Sequence, residues 1–69
     1  MREGPAIVRL PSGAEYEGAA VYDGHAVTIE GCRRHIEGAG DSRTIRLGAA
    51  IERTWPVEAV LVVEWQAGS

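Results

Sequence analysis

The apolar positions of this chain recur at every second residue and seldom at helical spacing. Ala6-Ile-Val-Arg-Leu10 reads as a first strand, stopped by Pro11-Ser12-Gly13. A second strand runs over Ala14–Tyr22 and a third over His25–Glu30, with Asp23-Gly24 between them. That dipeptide predicts a two-residue type I′ turn, whose two central residues both need positive φ. The implied register sets Tyr22 against His25, Gly18 against Ile29 and Glu17 against Glu30. One face then carries Tyr16, Gly18, Ala20, Tyr22, His25, Val27 and Ile29, and the other carries Glu15, Glu17, Ala19, Val21, Ala26, Thr28 and Glu30. Gly18, in mid-strand, predicts a bend. The like-charge pair Glu17–Glu30 calls for a cation, which Arg33 or Arg34 supplies.

Past Gly31, residues 33–37 and 43–47 predict two more strands joined by a loop over 38–42, with Ile36, Ile45 and Leu47 inward. Residues 48–54 fit either a strand or a short helical turn. Pro56 does not suit a central strand, so 55–59 read as a turn or a single 3₁₀ turn before the last strand, VLVVEW. That strand is apolar at four consecutive positions, Val60 to Val63, although a strand lining one side of a core should alternate. The expected solution puts Leu61, Val63 and Trp65 inside with Val27, Ile29, Ile45 and Leu47, while Val60 and Val62 face out. Together with Val21, Ala19 and Ala26 these form apolar exterior patches, the mark of an interaction surface.

Composition narrows the picture. Sixty-nine residues make one domain, 1–69 with a flexible tail at 66–69, whose core is small enough that burial against a partner is an attractive source of stability. The single Cys32 cannot form an internal disulfide. No apolar run is long enough to span a membrane, and the N-terminus carries no secretory signal, so an intracellular protein is expected. All seven basic residues are Arg. Net charge is −3, with residues 1–30 at −3, 31–53 at +2 and 54–69 at −2.

A curled meander with a mid-strand Gly, then a Pro-containing single turn and a short final strand, resembles the SH3-like small barrel. The resemblance implies an all-β fold of about five to six short strands with one 3₁₀ turn before the last. "VRLPSGAEYEG" and "TWPVEAVLVVEW" also resemble small virion-associated proteins of actinobacterial tailed phages. That likeness implies a head decoration, head completion or tail accessory subunit, located in the virion or the cytoplasm. No acidic loop or ALYDY-like aromatic run is present, so proline-motif recognition is not expected.

Catalytic chemistry finds no footing. No Ser or Cys has a patterned base, and no Gly-rich loop opens a helix. Cys32-Arg-Arg-His35 has a ligand-like spacing, but a structural zinc site needs four ligands and two Arg oppose a cation, so no metal or cofactor is expected; Cys32 reads as a small buried thiol beside surface histidines, His25 and His35. The expectation is a non-enzymatic subunit that associates with a protein partner or with itself, without a small-molecule substrate. The alternative is an Sm-like or other nucleic-acid-binding small barrel that uses Arg33, Arg34, Arg43 and Arg46 against phosphates.

Overall fold

The computed structural model describes residues 1–37, 44–47 and 52–66. They form six strands: β1 (Arg2–Arg9), β2 (Glu15–Tyr22), β3 (Ala26–Glu37), β4 (Thr44–Leu47), β5 (Arg53–Pro56) and β6 (Val62–Trp65). A 3₁₀ turn, Val57–Ala59, precedes β6. All pairings are antiparallel. β1 lies between β2 and β6, and β2 between β1 and β3. The far edge of β3 is shared, β5 taking its first half and β4 its second. Because β5, on the far edge of β3, continues through the 3₁₀ turn into β6, one short connection links that edge to the other end of the strand order and the sheet curls over its own core. This is the expected small all-β, barrel-like fold of six strands with a single 3₁₀ turn before the last.

The core is drawn from alternate positions. Ala6 and Val8 of β1, Tyr16 and Ala20 of β2, and Val27 and Ile29 of β3 are buried, as are Ala14 and Cys32. Leu10, Tyr22, Trp55, Val60, Val63 and Trp65 pack around them. Ile29, Val8 and Val27 are the largest fully buried side chains, each contributing about 1.5–3 kcal/mol by leaving water. Ile36 is buried as expected, but Ile45, opposite it on β4, is 59% exposed and does not join the core. The side chain of Leu47 lies outside the described atoms, as do residues 38–43, 48–51 and 67–69, which hold the expected 38–42 loop and most of the expected 66–69 tail.

The β2–β3 turn differs from the expected type I′. Gly24 has φ +99°, but no non-glycine residue among those described has positive φ, so Asp23 cannot be a central I′ position. Instead the Asp23 carboxylate accepts the N–H groups of His25 and Ala26, both at 2.8 Å, and the Asp23 N–H donates to the Ala26 carbonyl at 3.3 Å. This side-chain capture widens the loop, and Tyr22 pairs with Val27 rather than His25. Two residues is a full period of the pleat, so the slip leaves every side chain on its expected face. His25, at the turn, is exposed.

Gly18 marks a bulge. Ala19 pairs with Glu30 and Glu17 with Arg34, so three residues of β3, Gly31 to Arg33, stand opposite Gly18 alone. A Cβ on Gly18 would lie 2.9 Å from the Gly31 carbonyl oxygen and 3.1 Å from Cys32 Cα, a separation only glycine permits. Gly31 takes φ +63° to make the kink. The predicted strand break near Gly31 is thus a bend within one long strand. The bulge also removes the Glu17–Glu30 clash: Glu17 instead meets Arg33 at 3.2 Å and Arg34 at 3.9 Å.

Candidate interaction surface

β6 resolves its apolar run by alternation. Val63 and Trp65 are half-buried against the core, while Val62 and Glu64 are exposed. Leu61 is not inward as expected: it sits in the bend before β6, 66% exposed. Val60, expected to face out, packs against the core as the residue closing the 3₁₀ turn, its N–H donating to the Val57 carbonyl at 3.1 Å. The bend at Leu61 exchanges the two roles. The exposed apolar side chains of this segment are therefore Leu61 and Val62, the latter 44% exposed, with Val57 of the 3₁₀ turn at 36%.

The other expected interface residues lie elsewhere. Ala19 is exposed, and Val21 and Ala26 are half-buried on the outer face. Val21 pairs with Glu3 on β1, whereas Val62 pairs with Arg9. Six positions of extended chain, about 20 Å, separate those two points. The expected interface residues thus fall in two separate places. Ala19 and Val21 line an open groove of about 770 Å³ with Pro5 between Glu3, Glu30 and Arg33. Leu61 and Val62 flank a short ion-pair network in which Arg9 meets Glu64 at 3.1 Å and Glu15 at 3.2 Å.

The Arg-rich centre is partly neutralised. Arg33 and Arg34 both lie against Glu17. Arg46 stands on β4 opposite His35, and Arg43 falls outside the described residues. Arg53, on β5, lies over the Tyr16 ring at 5.8 Å.

A third feature was not legible in the sequence. His35, expected at the surface, is only 5% exposed. His35 keeps the inward parity of Val27 and Ile29, and the bulge sets it opposite Tyr16, where the two rings stack at 4.4 Å and 17°. Trp55, brought opposite Val27 by β5, tilts against the same Tyr16 at 4.8 Å. Glu37 joins from the end of β3, accepting the Tyr16 hydroxyl at 3.2 Å with His35 Nε2 2.7 Å from the same oxygen. The histidine contact lacks the alignment of a hydrogen bond, and His35 Nδ1 also has no hydrogen-bond partner. The His35 imidazole, then the Tyr16 hydroxyl, hold the Glu37 carboxyl below its ordinary value. Burial, followed by the two Glu37 effects against an opposing Arg53, raises that of Tyr16. The signal that would have found this cluster is the inward face of Tyr16 combined with a two-residue bulge at Gly18.

Among the described residues, no three His, Cys, Asp or Glu side chains are grouped to hold a metal ion. The Cys32 thiol is buried and donates to the Arg34 carbonyl at 3.2 Å. Comparison of the chain with protein-family models, with curated proteins and with solved structures finds no match.

Proposed function

We propose that this chain is a non-enzymatic structural or accessory subunit that acts by protein–protein association, with the head or tail of a tailed phage as the assembly its resemblance suggests. The observation that carries the reading is the pair of exposed apolar side chains, Leu61 and Val62, beside a strand whose inner residues belong to the core. A small chain keeps such a pair in water at a solubility cost unless something covers it. Binding of nucleic acid by Arg33, Arg34, Arg43 and Arg46 has less support, since Glu17 engages the first two and net charge is −3.

Paired substitutions on β6 test the reading. Val62→Arg should leave the circular dichroism and melting of the protein unchanged while weakening its association. Val63→Arg, one residue away, should unfold it by forcing a charge against the core. Association is read by light scattering of the pure protein and by co-sedimentation with particles from the phage or host that encodes it. A parent protein that does neither, or a Val62→Arg variant that does both as the parent does, would overturn the proposal.

A further inference from the structure

No further inference is drawn: the strongest candidate, the open groove on the outer face of β1, β2 and β3 where Pro5, Ala19 and Val21 lie between Glu3 and Glu30, is an apolar shelf with an acidic rim, and nothing in the structure shows what covers it.

Discussion

The two halves of β3 are built on different principles. From Ala26 to Glu30 the strand alternates cleanly, with Val27 and Ile29 fully buried and Ala26, Thr28 and Glu30 turned outward. It is held by packing, with Trp55 opposite Val27 and an outward Thr28–Thr54 hydroxyl contact at 3.0 Å as its polar addition. From Cys32 to Glu37 the same strand buries a histidine, stacks it on a tyrosine and ties Arg34 to Glu17. Gly31 and the bulge opposite Gly18 separate the halves. The difference teaches that apolar area stabilises the first half, while the second relies on polar groups that must be matched one by one, a less forgiving arrangement.

The largest effect should come from the apolar half. Ile29→Ala removes the largest fully buried side chain and leaves a cavity among Val8, Val27 and their neighbours, at a cost of about 2–5 kcal/mol. For a chain of this size that consumes much of the total stability. Urea unfolding monitored by circular dichroism measures it. A loss below about 1 kcal/mol would mean that the core collapses around the gap, and that the first half is held by its ladder instead.

A smaller effect is expected at the joint. Gly18→Ala places a methyl group against backbone atoms of Gly31 and Cys32, which cannot move aside as a flexible side chain would. Forcing them apart should cost about 1–3 kcal/mol. It should also disturb the second half more than the first, which amide exchange can resolve: N–H groups of 34–36 should lose protection before those of 27–29. Uniform loss would show that the two halves unfold as one unit.

The same joint marks where the sequence is readable and where it is not. Up to Ile29 the alternation of small and β-branched residues names the strands, the inward face and the core, and even a mistaken turn type leaves these intact because the loop grows by a whole pleat period. The 3₁₀ turn is legible because Pro56 ends one ladder and VLVVEW begins another. The pairing of His35 with Tyr16 is not legible, since it follows from two extra residues opposite Gly18, and a mid-strand glycine announces a bend without stating how many residues it absorbs. Leu61 and Val60 exchange places for a related reason: in an unbroken apolar run, one bend decides which residue faces the core, and the run itself has no mark of where the bend falls. Ile45 shows the third limit, because periodicity assigns a face to a strand without saying whether anything lies over that face.

The smallest effect, and the one that tests the polar half alone, is a dependence on pH. Glu37 has its carboxyl lowered from an ordinary value of 4.5 by His35 and Tyr16, and Asp23 its own from 3.8 by the N–H groups of Ala26 and His25. A carboxyl lowered on folding contributes stability that is present above its unfolded value and lost as pH falls through its folded one. Melting temperature should therefore be steady from neutrality to about pH 5 and fall below it, first as Glu37 loses its charge and then as Asp23 does. The Tyr16 phenol, raised from 10.0, works in the opposite direction: its contribution is complete below pH 10 and is lost as the pH rises through the folded value. Glu37→Gln should flatten the first part of the acid limb and leave the Asp23 part, whereas Asp23→Asn should do the reverse while loosening the turn that fixes the register of Val27 and Ile29. Both carboxylates are exposed to solvent, so each change in melting temperature should be small beside that of Ile29→Ala. If Glu37→Gln leaves the acid limb as steep as the parent's, the Tyr16–His35–Glu37 contacts hold no differential energy, and the second half of β3 is maintained, like the first, by packing.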